Sequence, residues 1–304
     1  MATKKKISVG FIGSGRIAKA LALALAPKGY SVPIVASRSS DSAKHLAGLI
    51  QGCKPTDRFQ DVADICDIVF ITTPDDHIAE VESQINWRIG VIVAHCSGAE
   101  TSHILSHAKT NGANVASFHP MQTFSGYPDE HEKLSNVAFA LDGDKQATDT
   151  LAELAYALGG WPVFINPELR SLYHISGFLA CGAISTLLSK SIDLWKLMGY
   201  STQDGLRVLL PILHNTVGNI EHYGPAKSLT GPVSRGDITT VSKHIEALSN
   251  NAPALLGLYR QLSINAASLS KQLGGIDDKQ ESALLEVLGT IYYAEESSSE
   301  KSIK

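Results

Sequence analysis

The sequence predicts an α/β fold: a doubly wound Rossmann-type arrangement, with a mostly parallel sheet in the first half of the chain and an all-helical second domain. Three observations support this prediction. Residues 1–165 alternate between apolar strand patterns and helical patterns, which is typical of a parallel sheet covered by helices. A glycine motif stands between the first strand and the first helix. After Asn166-Pro167, strand patterns are almost absent.

The strands of the first domain are short apolar runs, expected at 7–12, 31–37, 67–72, 90–95, 114–118, 136–141 and 161–165. Helices are expected between them at 15–26, 41–50, 76–84, 101–110 and 145–158. The second domain is expected to hold helices at 168–198, 202–222, 234–249, 251–273 and 278–294. The predicted domains are therefore 1–166 and 167–294. A disordered tail is expected at 295–304, which is rich in Ser, Glu and Lys.

The first strand runs directly into the glycine motif Gly13-Ser14-Gly15-Arg16-Ile17-Ala18. Gly13 permits a tight turn, Gly15 lets backbone approach a pyrophosphate, and Ala18 lets helix and strand pack closely. The following helix presents unpaired N–H groups and its positive dipole end to phosphates. The motif therefore predicts a dinucleotide site formed by residues 13–17.

The end of the second strand indicates which dinucleotide binds. An NAD site would place a carboxylate here, whereas this chain has Ser37-Arg38-Ser39 and no carboxylate until Asp41. Because a guanidinium donates charge-assisted bonds to phosphate, these residues predict NADP. The alternative is a solvated Arg38, with Ser39 or Ser40 capping the next helix.

The ends of three later strands are unusually polar. Thr72-Thr73-Pro74 is predicted to line the path of the cofactor, or else to precede a helix as a cap. Ser97 and His119 are predicted as catalytic residues, with Gln122 beside the substrate, because ligands gather at the carboxyl ends of parallel strands. A histidine there can hydrogen-bond or protonate a substrate oxygen. A structural role is the alternative for both predicted catalytic residues.

The second domain contains two further polar clusters. Tyr173-His174 opens a long apolar helix, and His174 is predicted to bind substrate. Arg235 follows a Thr-Gly-Pro loop and is predicted to hold a substrate carboxylate. The open alternative is that Arg235 pairs with Asp237, with Asp237 capping the next helix.

Bulk properties narrow the classes of function. The net charge of −4 gives no sign of nucleic-acid binding, and the four cysteines are scattered, which indicates neither a metal site nor a disulfide framework. The first strand begins by residue 7 without an apolar leader, so a cytoplasmic protein without membrane contact is expected. Apolar stretches at 184–188 and 206–213 predict a homodimer.

Together these segments resemble a family of NADP-dependent oxidoreductases that join a Rossmann-like domain to a helical C-terminal domain of uncharacterised function. The specific parts are Phe118-His-Pro-Met-Gln-Thr-Phe124 and Thr230-Gly-Pro-Val-Ser-Arg-Gly-Asp237, in addition to the glycine motif. The chain is more distantly similar to 6-phosphogluconate, pyrroline-5-carboxylate, prephenate and ketopantoate oxidoreductases. In prephenate dehydrogenases a Ser and a His-Pro approach the substrate, and the resemblance places Ser97 and His119 there.

The resemblance implies an NADPH-dependent reductase of a small polar carbonyl or imine, with a 2-oxo acid of the ketopantoate type as first choice. The Asn expected eight residues after His174 is Gly182 here, and a Lys-x-x-x-Asn pair is absent. These departures keep open an NADP-binding sensor or scaffold without turnover. A deazaflavin cofactor in the same fold is a further alternative.

Overall fold

The computed structural model describes residues 6–126 and 129–289. Contacts within the chain divide it into two compact units, Met1–Gly182 and Ala183–Lys304. The expected tail at 295–304 lies outside the described residues.

The described part of the first unit contains a sheet of eight strands. Their order across the sheet is β3-β2-β1-β4-β5-β6-β7-β8, and neighbouring strands are parallel except for β6 and β7. This confirms the predicted fold class of a doubly wound, mostly parallel sheet. The bounds are β1 Val9–Ile12, β2 Ile34–Ala36, β3 Lys54–Thr56, β4 Ile68–Ile71, β5 Ile92–His95, β6 Asn114–Pro120, β7 Ala138–Gly143 and β8 Trp161–Phe164.

Helices cover both faces of the sheet. They are α1 Arg16–Leu25, α2 Ser40–Gly48, α3 Phe59–Ile65, α4 Ile78–Ser83, α5 Ser106–Thr110, α6 Lys145–Ala157 and α7 Arg170–Ala180. On one face four of the strands contribute a row of rings: Phe11, Phe70, Phe118 and Phe139 have centroids 5.6, 5.4 and 4.7 Å apart in turn. Burying these rings against α1 and α6 supplies much of the apolar stabilisation of this unit.

Two elements of the first unit are missing from the sequence prediction. β3 is three residues long, contains Pro55, pairs only through one edge with β2, and is largely exposed. An edge strand of this kind carries no apolar alternation, so its pattern resembles a loop. The short α3 follows β3 and buries only Val62 and Ala63, which is too few residues to show a helical pattern.

The described part of the second unit is helical, as predicted. Its helices are α8 Gly182–Leu197, α9 Thr202–Lys227, α10 Ile238–Asn251, α11 Pro253–Gln272 and α12 Asp278–Leu288. A small core joins α10, α11 and α12 through Val241, Ala267, Ile276, Leu284 and Leu288. α9 bends at Gly224, whose φ of 78° belongs to the left-handed region that favours glycine.

The single helix predicted at 168–198 is wrong. The helix breaks at Cys181, whose φ and ψ of −128° and −60° leave the helical region. The backbone N–H of Cys181 still bonds the carbonyls of Gly177 and Phe178, so α7 closes properly before α8 begins. The compact units divide after Gly182, whereas the sequence predicts a boundary at residue 166. The reason is that α7 is anchored in the sheet unit, as described below.

Within Pro167–Leu197 an 18-residue window has a mean hydropathy of 1.4, so this stretch is long and apolar enough to cross a membrane by length and composition. A core or interface helix passes the same test, and the break at Cys181 interrupts this stretch. The absence of membrane contact and the cytoplasmic location stay predictions.

Candidate functional site

The site lies at the carboxyl edge of the parallel strands. From β1 the chain passes to β2 on one side, while β4 pairs with β1 on the other, which creates a topological switch point. Ligands of open α/β sheets bind in the crevice at such a point. The ends of β1, β4, β5 and β6 bring Gly13, Thr72, Ser97 and His119 to this same edge.

The glycine turn has the geometry that the motif predicts. Gly13 has a φ of 107°, and a Cβ added there would lie 2.8 Å from the backbone carbonyl of Thr72. The Thr72 hydroxyl donates to the carbonyl oxygen of Gly13 at 3.0 Å, so this side chain holds the turn. A Cβ at Gly15 would meet nothing closer than the Thr72 carbonyl oxygen at 4.0 Å, which leaves open space in front of the turn. No side chain caps the N-terminus of α1, so its first N–H groups face this space.

Beside the turn is a cavity of about 230 Å³, lined by Gly13, Ser14, Gly15, Ser37, Arg38, Ser42, Phe59, Thr72, Thr73 and Pro74. The hydroxyl of Thr73 is buried without a hydrogen-bond partner in the described chain. Arg38 is exposed and forms no hydrogen bond or ion pair within residues 6–126 and 129–289. An unsatisfied donor, a free guanidinium and an open glycine turn fit a phosphorylated dinucleotide.

Three of the predicted cofactor residues use their side chains elsewhere. The Ser39 hydroxyl accepts the N–H of Ser42 at 3.3 Å and so caps α2. The Arg16 guanidinium donates to the carbonyl of Phe124 at 2.7 Å, and Ile17 packs against the core. The cofactor contacts predicted for these three residues stay predictions; the Arg16 guanidinium has further N–H groups and lines a second cavity with Ser14 and Gly15.

A buried ion pair organises the edge of the sheet near β5 and β6. Arg170, at the start of α7, is 1% exposed and donates to Asp142 at 2.9 Å and to the Ser117 hydroxyl at 2.8 Å. It also donates to the carbonyls of Ser97 at 2.7 Å and Gly98 at 2.9 Å. These bonds satisfy the charge on both partners and tie the loop after β5 to α7.

His119 lies at the end of β6, half-buried behind that loop. Its Nδ1 is 2.7 Å from the Tyr173 hydroxyl, and its ring meets His174 edge-on with centroids 6.1 Å apart. A Cβ on Gly98 would lie 2.8 Å from Nε2 of His119, so glycine is required for this close approach. Burial, assisted by the positive charge of Arg170, lowers the pKa of His119 to about 3. The imidazole is therefore neutral at physiological pH.

His119 opens onto a cavity of about 360 Å³, within the range of small-molecule sites. The lining consists of His119, Met121, Gln122, Thr123, His174, Gly177, Phe178, Ala180 and Cys181. His119, Gln122 and His174, which the sequence predicts at the substrate, are thus brought together. The Gln122 amide donates to the Lys133 carbonyl at 3.2 Å and its oxygen accepts the Thr123 N–H, so this side chain holds its own loop.

Ser97 differs from the prediction of a catalytic hydroxyl. It is 5% exposed, and its hydroxyl donates its one hydrogen bond to the carboxylate of Asp75 at 2.6 Å. The same oxygen accepts the N–H groups of Ala99 and Glu100. Because the donor and both lone pairs are used, this geometry favours the structural alternative for Ser97.

Arg235 belongs to the second unit, at the end of the short turn Val233–Arg235. It is exposed, and its guanidinium makes no hydrogen bond or ion pair within the described residues. Asp237 caps α10 by accepting the Thr240 N–H at 3.0 Å, which confirms the capping alternative for Asp237. The carboxylate-binding role of Arg235 stays a prediction.

Sequence reasoning did not assign roles to Arg170, Asp142, Asp75 or Tyr173. One signal was present: the apolar run 137–141 ends in Asp142, and a carboxylate on a buried strand needs a charged partner. Nothing in the local pattern identifies that partner, because Arg170 lies on a different element. Among residues 6–126 and 129–289 no cluster of three potential metal ligands occurs.

Comparisons with known proteins agree with this architecture. Residues 8–97 match the family described as NADP oxidoreductase coenzyme F420-dependent, and residues 137–266 match a domain of unknown function, DUF2520. The first match confirms the predicted cofactor class.

Related proteins share the fold. A structure assigned as an NADP oxidoreductase from Bacteroides fragilis has a TM-score of 0.71 and 23% identity, covering 86% of this chain and 98% of that one. A pyrroline carboxylate reductase from Plasmodium falciparum with NADP bound has a TM-score of 0.58 and 13% identity, covering 92% and 99%.

The metalloreductase STEAP3 of Rattus norvegicus is 28% identical over 176 residues, which are 53% of this chain. That match spans only 34% of the curated relative. The two family matches carry the assignment of the domains: the chain joins an N-terminal NADP oxidoreductase domain to a C-terminal DUF2520 domain.

Proposed function

We propose that this chain is an NADPH-dependent oxidoreductase that reduces a small polar carbonyl or imine. The observation that carries the proposal is His119, a neutral imidazole whose Nε2 has no hydrogen-bond partner in the described chain and which lines a 360 Å³ cavity. That cavity opens at the same edge of the sheet as the glycine turn. An N–H donor at this position stabilises the negative charge that develops on a carbonyl oxygen during hydride addition.

The glycine turn and Arg38 hold the cofactor in this proposal, and NADPH when bound supplies the hydride. Removing the Arg38 guanidinium loses a charge-assisted contact with the 2′-phosphate, which is about 1.5–3 kcal/mol. Arg38→Ala should therefore weaken NADPH binding by about tenfold to a hundredfold and leave NADH binding unchanged. Arg58→Ala is the matched control, because the Arg58 side chain is exposed and pairs only with Asp61 in the described chain. Equal loss of NADPH and NADH affinity in Arg38→Ala would contradict the assignment.

A 2-oxo acid is the first substrate class to test. The lining of the His119 cavity contains no Lys or Arg, so a substrate carboxylate has no cationic partner within that lining. Arg235 is the candidate that the sequence predicts for this role. If it binds the carboxylate, Arg235→Ala should raise KM for 2-oxo acids and leave KM for neutral carbonyls unchanged.

Turnover is tested by following NADPH absorbance across 2-oxo acids, neutral ketones and cyclic imines. Wild-type activity on one class, and its loss in His119→Ala with NADPH affinity retained, are the expected results. Unchanged turnover in His119→Ala would remove the catalytic assignment. Tight NADPH binding without turnover on the whole panel would favour a sensor or scaffold instead.

The second candidate is hydride exchange between NADP and a deazaflavin. The description of the family that matches residues 8–97 favours it. The test mixes the protein with NADPH and an oxidised deazaflavin and follows the deazaflavin absorbance. Rapid bleaching that requires the protein would support this candidate over reduction of a small carbonyl.

We also propose that the protein acts as a homodimer. In the described chain, α9 buries only Gly205, while Val208, Ile212 and Val217 on the same helix are at least half exposed. Apolar helix surface of this extent needs a covering partner in water, and a second copy supplies the same surface. A monomer by mass measurement at micromolar concentration would contradict this.

A further inference from the structure

We propose that Tyr173 is a positioning residue that holds His119 as the Nε2–H tautomer and replaces, through the imidazole, the proton that His119 gives to the substrate oxygen. The inference rests on the proposed reductase function and assigns the source of the proton in that reaction.

The geometry brings together residues from two elements. Tyr173 is on α7 and His119 ends β6, and their hydroxyl oxygen and Nδ1 are 2.7 Å apart. The rings meet edge-on with centroids 5.7 Å apart. Arg170, one helical turn before Tyr173, is fixed by four bonds to the sheet unit and lies 5.4 Å from the centre of the Tyr173 ring. The tyrosine is therefore held in place from both sides.

Two neutral arrangements of this hydrogen bond are possible, and chemistry favours one. A phenol is a stronger acid than a neutral imidazole N–H, and an imidazole nitrogen is a stronger acceptor than a phenol oxygen. The stable arrangement therefore has Tyr173 donating to Nδ1, which leaves the hydrogen of His119 on Nε2. No described residue accepts from Nε2, which faces Gly98 beside the cavity.

The charged form of His119 is disfavoured by its surroundings. Burial is the main cause, and the Arg170 guanidinium and the rings of His174 and His95 also oppose an added positive charge. His95 is not an alternative proton source for the cavity, because it is fully buried and its Nδ1 accepts the Ser97 N–H. The donor at the cavity is thus the Nε2–H of a neutral imidazole, and such a donor can stabilise a negative charge that develops on a substrate oxygen.

The proton balance of the step is simple. NADPH, when bound, would supply a hydride (two electrons and one proton) to the carbonyl carbon, and the carbonyl oxygen would then carry a negative charge. The Nε2–H bond of His119 breaks as the O–H bond of the alcohol forms. The hydroxyl proton of Tyr173 passes to Nδ1, and the negative charge moves to the phenolate oxygen of Tyr173, on the residue that packs against the Arg170 cation. After the product leaves, Nδ1 returns its proton to the Tyr173 phenolate, and Nε2, which faces the cavity, takes a proton from solvent water and so restores the starting tautomer.

Burial raises the pKa of Tyr173 to about 12, so the hydroxyl stays protonated before the reaction. An alkoxide is a much stronger base than this phenolate, so the transfer is downhill at the moment when it is needed.

The test measures the tautomer directly. Imidazole ¹⁵N chemical shifts of the protein with NADP bound should show His119 as neutral Nε2–H at neutral pH. Tyr173→Phe should populate both tautomers and lower turnover about tenfold to a hundredfold, with NADPH affinity unchanged. Tyr156→Phe is the control, because Tyr156 is 63% exposed on α6, and it should change neither the ¹⁵N shifts nor the turnover.

An Nδ1–H tautomer or an imidazolium in the wild-type protein would overturn the proposal without any variant. An unchanged tautomer in a folded Tyr173→Phe would overturn it as well. Turnover with the opposite tautomer would contradict the proton transfer from Tyr173 through His119 but not the proposed reductase function. The expected tautomer without turnover on any carbonyl would instead contradict the proposed function, and with it the proton transfer from Tyr173.

Discussion

Replacing Arg170 with leucine is the perturbation whose consequence follows most directly from the structure. The substitution keeps an apolar side chain of moderate size and removes all four hydrogen bonds of the guanidinium. Asp142 then stays 2% exposed on its side chain, and its described partners are reduced to the Ser117 hydroxyl and the Ser102 N–H. The carbonyls of Ser97 and Gly98 lose their donors at the same time.

The expected cost is large because a buried carboxylate is left without its counter-ion. Breaking one partner of a buried pair destabilises a protein by about 3–5 kcal/mol. For a unit of this size, each kcal/mol lowers Tm by about 2–4 °C, so Arg170→Leu should lower the Tm of the sheet unit by roughly 6–20 °C. The double variant Arg170→Leu/Asp142→Leu removes both charges and should recover most of this loss.

Urea unfolding followed by circular dichroism measures these free energies in a double-mutant cycle. Arg58→Leu serves as the control: it removes an exposed ion pair with Asp61, so a change below about 1 kcal/mol is expected. A loss of less than about 1 kcal/mol in Arg170→Leu, or a double variant no more stable than the single one, would refute the reasoning. Loss of the expected ¹⁵N signature of His119 in the same variant would show that the ion pair also positions the site.

Three further outcomes are expected. Glu82→Ala should cost about 2–3 kcal/mol in urea unfolding, because its buried carboxylate accepts two backbone N–H groups at the start of α5, whereas Glu80→Ala on the same helix is exposed and should change little. Gly13→Ala should lower both stability and NADPH affinity, since it places a Cβ 2.8 Å from backbone at a φ of 107°, while Gly48→Ala meets nothing within 4 Å and should leave both intact. His119 takes up a proton below about pH 6.5 in the unfolded chain, whereas burial keeps its pKa near 3 in the folded protein. The free energy of unfolding should therefore fall as the pH drops from about 6.5 to about 3, and His119→Gln should make this dependence on pH shallower. A Gly13→Ala that binds NADPH normally, or identical pH slopes, would contradict the respective argument.

The glycine turn of the candidate cofactor site could be predicted from the sequence because its residues are contiguous. The turn and the start of α1 fall within Gly13–Ala18, directly after β1, and Arg38 follows β2 by two residues. Sequence patterns report local backbone conformation well, since φ and ψ depend on neighbouring residues. The side chains of Ser39 and Arg16 were assigned less well, because a hydroxyl beside a helix start has two uses and only the fold selects one.

The substrate side of the site could be predicted only in part. His119 was found because a polar residue at the end of an apolar strand is a visible signal. Its neutral state depends on Arg170 and on burial, and its tautomer depends on Tyr173, which lies 54 residues away in the chain. The position of Ser97 in the sequence is typical of a catalytic hydroxyl, yet in the structure this hydroxyl donates a hydrogen bond to the carboxylate of Asp75.

By itself, then, the sequence determined the fold class, the glycine turn and the preference for NADP, since these depend on residues close to one another along the chain. The tertiary structure decided the break at Cys181, the assignment of α7 to the sheet unit, and the protonation of His119. Each of these depends on contacts between distant segments, above all the bonds from Arg170 to β5, β6 and β7. The pKa of a buried group depends on all the atoms and charges that pack around it, and these neighbours come together only when the chain folds.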